Sequence, residues 1–333
     1  MTLFGKLTYP EIGAQPEALT AALKQLQAQK EWVKQYVGNP LYSEVIFIGS
    51  GSSYYQALVM ASTYRKWTGR KASAYPSSEI FLFRGQAVAK GYPVLVVGVS
   101  RSGESTEVLL ALESVKGLPD WITSGITCYD KSAMALMTDC LLSPLGQEQS
   151  TVMTKSFSSM TFMMQAAIAG AAGNQEMTRQ LEEVSNRAAG VVSHSQQIIE
   201  ALINNHDFNK YIYLGMGTYR GLAEEASLKI KEMSYVWTEN YGTLEFRHGP
   251  KSIVDPGTFI CLLVSEQARS YELKVAQEMK EFGAYVLLIT AEQASDTAFA
   301  DKVLEIGGKH LSDEARTVLY LPALQYLGYY TAM

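Results

Sequence analysis

The sequence predicts an α/β protein made of two copies of one parallel-sheet unit. Short apolar runs alternate with helical patterns along the chain, as they do where helical crossovers join parallel strands. The chain also repeats itself, because residues 45–57 match residues 211–223, including a Gly-x-Gly turn at the end of an apolar run. Two further pairs of segments match at nearly the same separation of about 165 residues: 97–100 with 262–265, and 139–142 with 301–304.

Apolar runs bounded by turn residues give the positions of the strands. In the first copy we expect strands near residues 45–49, 71–75, 93–99, 123–128 and 139–143, and in the second near 210–215, 258–264, 284–290 and 302–306. Helical patterns fill the gaps, beginning with residues 17–37, which Pro16 introduces. Residues from about 155 to 205 carry mostly helix formers and should bridge the halves. We therefore divide the chain into an N-terminal helical segment (1–40), a first domain (41–175), a helical linker (176–205) and a second domain (206–333).

Composition narrows the class of protein. A chain of 333 residues exceeds the size at which one core usually stops growing, which favours two domains. The net charge of -5 gives no basic surface for nucleic acid, and no apolar stretch is long enough to span a bilayer. The N-terminus lacks the pattern of a secretory signal, and three dispersed cysteines favour free thiols, so we expect a cytoplasmic protein. The four histidines lack metal-ligand spacing, and we predict neither a structural metal nor a cofactor.

The segment 100–106, Ser-Arg-Ser-Gly-Glu-Ser-Thr, lies between an apolar strand and a helical pattern. A strand that leads through such a turn into a helix leaves free backbone N–H groups and the positive end of the helix dipole facing a ligand. Hydroxyl groups add donors, and Gly103 lets the backbone approach closely. No lysine follows in the pattern of a nucleotide-binding loop, so the turn suits a compact phosphate, as on a phosphosugar. A serine-rich helix cap without a ligand is the alternative.

A second turn rich in glycine and serine, residues 49–53, ends the first strand of the same unit. Ligands of open parallel sheets bind beyond the carboxyl ends of the strands. Because the strands that precede the two turns are expected to be neighbours, both turns should face one phosphate. In the second copy, the turn at residues 265–269 has a glutamate in place of a donor and no glycine, so we expect a weak phosphate site there.

The chemistry-bearing groups are expected in the second copy. Residues 224–237 are helical in pattern, and Glu225, Lys229 and Glu232 share one face at i, i+4 and i+7. His248 follows in a Gly-Pro turn rather than on an apolar face. A carboxylate, an amine and an imidazole can thus converge on one pocket, although such a helix face is usually a solvated charged stripe with an ion pair.

The chain resembles the tandem sugar isomerase (SIS) domain family in five segments, namely 49–54, 100–105, 151–157, 225–232 and 246–250. Within that family it is similar to the isomerase half of glutamine–fructose-6-phosphate aminotransferase, and more so to type II glucosamine-6-phosphate deaminases and AgaS-type enzymes. The resemblance covers nearly the whole chain from about residue 9. It implies two tandem SIS domains, each a flavodoxin-like parallel sheet flanked by helices in an αβα sandwich.

The resemblance also implies roles for individual residues. Positions that bind the sugar phosphate in the family are matched by Ser53, Ser100, Arg101, Ser102 and Ser105, and positions that line the sugar by Ser50, Gly51, Ser52 and Thr151. Glu232 matches the carboxylate that moves a proton between C1 and C2, and Lys229 matches a lysine beside the reacting carbons. His248 matches the imidazole that assists ring opening, contributed in relatives by the neighbouring subunit of a homodimer.

These roles make chemical sense, because moving a proton between adjacent carbons of an open-chain sugar needs one base near both. We expect Glu232 to be buried among Ile230, Met233 and Trp237. Thr2 stands where the aminotransferase has a cysteine, and the sequence ends at Met333, before the tail that carries a further reactive lysine in that enzyme. We therefore expect no ammonia production from glutamine, and, if the protein ends at Met333, no Schiff-base chemistry at that lysine.

We predict an enzyme that interconverts the aldose and ketose forms of a hexose 6-phosphate through an enediol or enaminol. The preferred version is a deaminase that converts an amino sugar phosphate, such as glucosamine 6-phosphate, to fructose 6-phosphate and ammonia. Plain isomerisation is the first alternative, and a sugar-phosphate sensor without catalysis is the second. A dinucleotide-dependent dehydrogenase is disfavoured, because the turn at 49–54 lacks the third glycine of that fingerprint.

Overall fold

The computed structural model describes residues 5–89 and 91–333. The chain divides into two compact units. The first lobe consists of the described residues between 14 and 186, and the second lobe consists of residues 187–333 together with residues 5–13, which include the helix Thr8–Gly13 (α1). Within the described residues, no helix combines the length and the apolarity that a membrane span requires.

The first lobe contains a five-stranded parallel sheet. Its strands are Glu44–Gly49 (β1), Ala72–Pro76 (β2), Val94–Val99 (β3), Trp121–Thr127 (β4) and Cys140–Leu142 (β5), in the order β2-β1-β3-β4-β5. Its helices are Gln15–Leu26 (α2), Lys30–Gln35 (α3), Ser52–Thr68 (α4), Ser77–Ala87 (α5), Thr106–Val115 (α6), Ala133–Met137 (α7) and Lys155–Ala172 (α8). The apolar side chains of β1 and β3 form a buried core with α6, which fixes the loop that joins β3 to α6.

The second lobe contains a second parallel sheet of five strands. Helix Gln175–Asn205 (α9) leads into it, and its strands are Lys210–Leu214 (β6), Thr238–Tyr241 (β7), Thr258–Leu263 (β8), Tyr285–Thr290 (β9) and Lys302–Glu305 (β10). They lie in the order β10-β9-β8-β6-β7. Besides α1 and α9, this lobe contains the helices Tyr219–Ser234 (α10), Arg269–Glu281 (α11) and Asp313–Ala332 (α12), and α12 packs against α10.

The two sheets have the same topology. Counted within each lobe, the strands follow the order 2-1-3-4-5 of flavodoxin-like folds. The duplication predicted from the sequence is therefore confirmed, and each predicted strand is present. The sequence analysis missed β7, because its residues, Thr-Glu-Asn-Tyr, form a partly exposed edge strand without an apolar run.

Two helical predictions need correction. The helix predicted over 17–37 is divided into α2 and α3 by a short 3₁₀ turn at 27–29. The segment 155–205 is helical as predicted, and it forms two helices because Gly173 has a φ of 63° and ends α8. The helix predicted over 224–237 ends at Ser234, since Tyr235 adopts a left-handed φ of 57° and β7 follows.

Candidate active site

The loop that follows β3 is organised around the hydroxyl of Ser100. This buried Oγ accepts a hydrogen bond from the N–H of Gly103 at 3.0 Å and lies 3.0 Å from the Oγ of Ser105, the residue that precedes α6. Gly103 has a φ of 68°, and a Cβ at this position would lie 2.5 Å from the Cβ of Ser132. Glycine is therefore required here both by the backbone conformation and by the available space.

Two backbone donors of this loop have no hydrogen-bond partner in the described part of the chain. Within residues 5–89 and 91–333, no hydrogen-bond acceptor is found for the N–H groups of Arg101 and Ser102, whereas the neighbouring N–H groups of Gly103 and Glu104 bond to Ser100 and Ser102. The two open donors lie at the carboxyl end of β3 and precede α6. Open backbone donors in front of a helix are the kind of group that can bind an anion.

The glycine-serine turn at residues 49–53 ends the strand next to β3. β1 and β3 are hydrogen-bonded neighbours, which confirms the adjacency predicted for the two turns. Gly51 precedes α4 with a φ of 56°, and Ser52 and Ser53 are buried in the first turn of that helix. Ser50 is half-buried at the end of β1. The predicted residues of this turn thus occupy a second helix N-terminus at the same edge of the sheet.

The guanidinium of Arg101 is fixed by a buried carboxylate. Its Nη1 lies 3.1 Å from Glu148 Oε1 and donates to the carbonyl of Ser150, and its Nη2 donates to the carbonyl of Thr151. Glu148 also accepts hydrogen bonds from the backbone N–H and side-chain hydroxyl groups of Thr154 and Ser156, at the start of α8. Glu148 therefore joins the loop 100–105 to the segment that carries Thr151.

A cleft of about 580 Å³ opens beside this loop. Of the predicted binding residues, Arg101, Ser102 and Thr151 line it, whereas the turn at 49–53 and the hydroxyls of Ser100 and Ser105 do not. The rest of its wall comes from Glu104, the loop 129–132 and residues 148–150. The cleft is large enough for a small polar ligand, and its wall carries the cations Arg101 and Lys131 together with the carboxylates of Glu104, Asp130 and Glu148.

The second lobe brings together the charged groups predicted on α10. The Nζ of Lys229, whose side chain is 1% exposed, lies 3.4 Å from Glu225 Oε1 and contacts Glu232 Oε2. Glu225 is buried, whereas the side chain of Glu232 is 37% exposed. A fully buried ammonium thus holds a partly exposed carboxylate at one end of a rigid helix. The shared face predicted from the spacing is confirmed.

The predicted burial of Glu232 is wrong, because its side chain is 37% exposed in this chain. Trp237, expected to cover it, lies beyond the end of α10 and is 77% exposed, as is Tyr235 at 87%. Of the expected neighbours, Ile230 is fully buried. The error arises because the helix stops at Ser234, so Trp237 no longer follows the helical spacing on which the prediction relied.

His248 is exposed in the turn between β7 and β8. It follows a 3₁₀ turn over Glu245–Arg247, and its backbone N–H donates to the carbonyl of Glu245 at 3.0 Å. Gly249 continues the turn with a φ of 120°. The imidazole is therefore available to groups outside this chain, which is the property that the family resemblance requires of it.

Comparison with known proteins settles the family. The SIS domain family model matches residues 43–170 and 206–306, which contain the two parallel sheets. The chain belongs to the SIS domain family. Its two SIS domains therefore occupy the two lobes, with the glycine-serine turns in the first domain and the Glu225–Lys229–Glu232 cluster in the second.

This tandem SIS protein is similar to D-galactosamine-6-phosphate deaminase AgaS of Escherichia coli, with 26% identity over 334 residues that cover 95% of this chain and 86% of the relative. It is 29% identical over 295 residues to glutamine–fructose-6-phosphate aminotransferase of Brucella abortus, covering 85% of this chain and 48% of that protein. Tagatose-6-phosphate ketose/aldose isomerase from Escherichia coli has the same fold, with a TM-score of 0.89 over 98% of this chain and 92% of that one, at 24% identity.

Sequence reasoning missed Glu148, the residue that fixes Arg101 in the first SIS domain. Its carboxylate lies seven positions before the start of α8, which is outside the spacing of a capping box, so no local pattern points to it. It also missed the loop 129–132 as a wall of the cleft. Neither could be found from local sequence, because each becomes a neighbour of the loop 100–105 only through the tertiary fold.

The second SIS domain contains a buried carboxyl group beneath its own copy of the loop. Burial raises the pKa of Glu272 to about 7, and the carboxylate of Asp313 acts in the same direction. Hydrogen bonds from the N–H and hydroxyl of Ser265 and from the hydroxyl of Thr243 oppose the rise. The folded protein therefore binds a proton at this position that the unfolded chain, with a carboxyl pKa of 4.5, has already lost near neutral pH.

Glu272→Gln should remove a pH-dependent loss of stability. Because the pKa is raised in the folded state, the stabilising contribution is present below about pH 4.5 and is lost as the pH rises through about 7. The unfolding free energy of the variant minus that of the wild type should rise by about 3 kcal/mol from pH 4.5 to pH 8, as measured by urea unfolding at each pH. Glu281→Gln changes an exposed residue on the same helix, and its unfolding free energy should vary with pH as that of the wild type does. Equal pH slopes for all three proteins would contradict this assignment.

Proposed function

We propose that this SIS protein interconverts the aldose and ketose forms of a hexose 6-phosphate, and that its preferred substrate is an amino sugar phosphate. One observation supports the phosphate most strongly: the N–H groups of Arg101 and Ser102 have no acceptor within the described residues and lie in the loop between β3 and α6. Donors in this arrangement favour a compact anion. A phosphate attached to a sugar is the anion expected in a family named for sugar isomerases.

In this proposal the first SIS domain binds the phosphate and the second supplies the groups that move protons. The phosphate is a remote handle whose binding energy holds the reacting carbons in position. The residues proposed to bind it are Ser53, Ser100, Arg101, Ser102 and Ser105, with Ser50, Gly51, Ser52 and Thr151 along the sugar. Glu232 moves the proton between C2 and C1, while the buried ammonium of Lys229 holds its carboxylate in place. His248, exposed in its own chain, assists ring opening in the neighbouring subunit of a homodimer.

Deamination follows from the same proton transfer. Removal of the C2 proton from the open-chain aldehyde of an amino sugar gives an enaminol, and return of the proton at C1 gives an imine at C2. Water then adds to the imine carbon, ammonia leaves, and a ketose phosphate remains. The chain needs one base for the two carbon positions, and Glu232 supplies it. Without an amino group at C2, the same steps give a plain aldose–ketose isomerisation through an enediol.

The similarity to a relative named as a galactosamine-6-phosphate deaminase, over 95% of this chain, favours the deaminase over the plain isomerase. We further propose that the protein acts in a reducing cytoplasm. Its three cysteines are free, and burial raises the pKa of the Cys128 and Cys261 thiols, so they stay protonated and unreactive.

A panel of sugar phosphates tests the proposal. The purified protein is incubated with glucosamine 6-phosphate, galactosamine 6-phosphate, fructose 6-phosphate, tagatose 6-phosphate and unphosphorylated glucosamine, and ammonia and ketose are measured separately. We expect equal amounts of ammonia and ketose phosphate from at least one amino sugar phosphate, and no turnover of the unphosphorylated sugar. Isomerisation without ammonia would assign the plain isomerase. Binding without turnover would assign a sugar-phosphate sensor, and either result would contradict the deaminase.

A further inference from the structure

The second lobe contains a structural copy of the loop 100–105, the loop proposed to bind phosphate in the first lobe. Ser265 follows β8 as Ser100 follows β3, and its Oγ accepts from the N–H of Ala268 at 3.1 Å, as the Oγ of Ser100 accepts from Gly103 at 3.0 Å. In both lobes a helix follows the loop, α11 in the second and α6 in the first. The duplication thus extends from the sheets to the hydrogen bonds of the turn.

The copy differs from the first-lobe loop in having its donors occupied. The N–H groups of Glu266 and Gln267 correspond to those of Arg101 and Ser102, and they donate to Asp313 Oδ1 and Oδ2 at 3.0 and 3.2 Å. One carboxylate therefore bridges the two donors that are open in the other lobe. A carboxylate and a phosphate both present oxygen atoms to such a pair of N–H groups.

The surroundings of Asp313 are those of a bound anion. The guanidinium of Arg316, whose side chain is 0% exposed, contacts Oδ1, and the hydroxyl of Tyr219 donates to the same atom at 3.4 Å. Arg316 is itself fixed by the carbonyl of Gly308 at 2.9 Å. Two backbone N–H groups, a buried guanidinium and a phenol thus surround one carboxylate, which lies in the first turn of α12.

We propose that Asp313 is an internal substitute for a phosphate, which closes the second-lobe loop to external anions and ties α12 to it. The chain therefore keeps one of its two duplicated loops open for a ligand. Removal of the Asp313 carboxylate should convert the closed loop into a second anion site, with Arg316 and the N–H groups of Glu266 and Gln267 as ligands. This inference does not depend on which reaction the protein catalyses.

Thermal unfolding of Asp313→Ala tests the inference. Loss of the carboxylate leaves the buried positive charge of Arg316 without its anionic partner, so we expect Tm to fall by about 10 °C. Addition of 50 mM sodium phosphate should restore about half of that loss, in excess of any rise seen in the wild type and of the effect of sodium chloride at equal ionic strength. Asp255→Ala is the matched control, because Asp255 also pairs with a cation, Lys210, and with a backbone N–H, but is half-exposed. It should show no such restoration.

Crystals soaked in sodium tungstate give a second readout, and its wild-type arm does not need the variant to fold. In the wild type we expect no anomalous peak at the N–H groups of Glu266 and Gln267, and in Asp313→Ala we expect one. A tungstate peak at these groups in the wild type would overturn the inference, as would the same phosphate-dependent rise in Tm for Asp313→Ala and the wild type. A missing peak at Arg101 and Ser102 would instead contradict the proposed phosphate site of the first lobe.

Discussion

Replacement of Glu232 by glutamine should lower kcat by about 10²–10⁴-fold while leaving the affinity for the phosphate group unchanged. The amide keeps the size of the side chain and its contact with Lys229, but it cannot take a proton from C2 and return it to C1. Because the phosphate is proposed to bind in the first lobe, its affinity does not depend on this carboxyl group. Steady-state kinetics on the best substrate of the panel and calorimetric titration with fructose 6-phosphate measure the two quantities separately.

Glu224→Gln is the matched control for this prediction. Glu224 lies on the same helix, is partly buried and forms an ion pair with Arg220 at 2.9 Å. Its replacement removes one carboxylate from α10 without touching Lys229, so we expect kcat within about threefold of the wild type, as for most changes away from the reacting atoms. A similar loss of kcat in both variants, or wild-type kcat in Glu232→Gln, would show that Glu232 does not carry the proton.

Replacement of Gly103 by alanine should weaken the binding of phosphate and of sugar phosphates by about 10²-fold, the scale expected when a binding group is displaced by about 1 Å. The new Cβ would lie 2.5 Å from the Cβ of Ser132, so either the loop 100–105 or the start of α7 must move. Movement of the loop displaces the N–H groups of Arg101 and Ser102. Calorimetric titration with inorganic phosphate and with fructose 6-phosphate measures the loss.

Gly117→Ala separates this effect from the general cost of a left-handed residue. Gly117 has a φ of 75°, close to that of Gly103, but a Cβ there meets no atom within 4 Å. Both variants should lose about 1 kcal/mol of unfolding free energy from the backbone conformation. Only Gly103→Ala should lose affinity for phosphate. Wild-type phosphate affinity in Gly103→Ala would place the anion outside this loop.

The fold was predictable from the sequence because the duplication and the apolar runs support each other. A Gly-x-Gly turn at the end of an apolar run, found twice, gives the position of β1 and β6, and the remaining strands follow at similar distances in each half. The edge strand β7 could not be found this way, because an edge strand that is half-exposed needs no apolar run.

The candidate site was predictable only where it is local in sequence. The face that carries Glu225, Lys229 and Glu232 follows from helical spacing, and the loop 100–105 follows from its position between a strand and a helix. Glu148 and Asp313 were not predictable, since each reaches its loop from a distant part of the chain. The exposure of Glu232 was also unpredictable, because one left-handed residue, Tyr235, ends the helix early and removes Trp237 from its expected place.

A crystal structure with bound fructose 6-phosphate tests the central claim most directly. The account predicts the phosphorus atom within about 4 Å of the backbone nitrogens of Arg101 and Ser102, with phosphate oxygens at hydrogen-bond distance from both. A sugar phosphate bound elsewhere on the molecule, with these two N–H groups in contact with water alone, would contradict it.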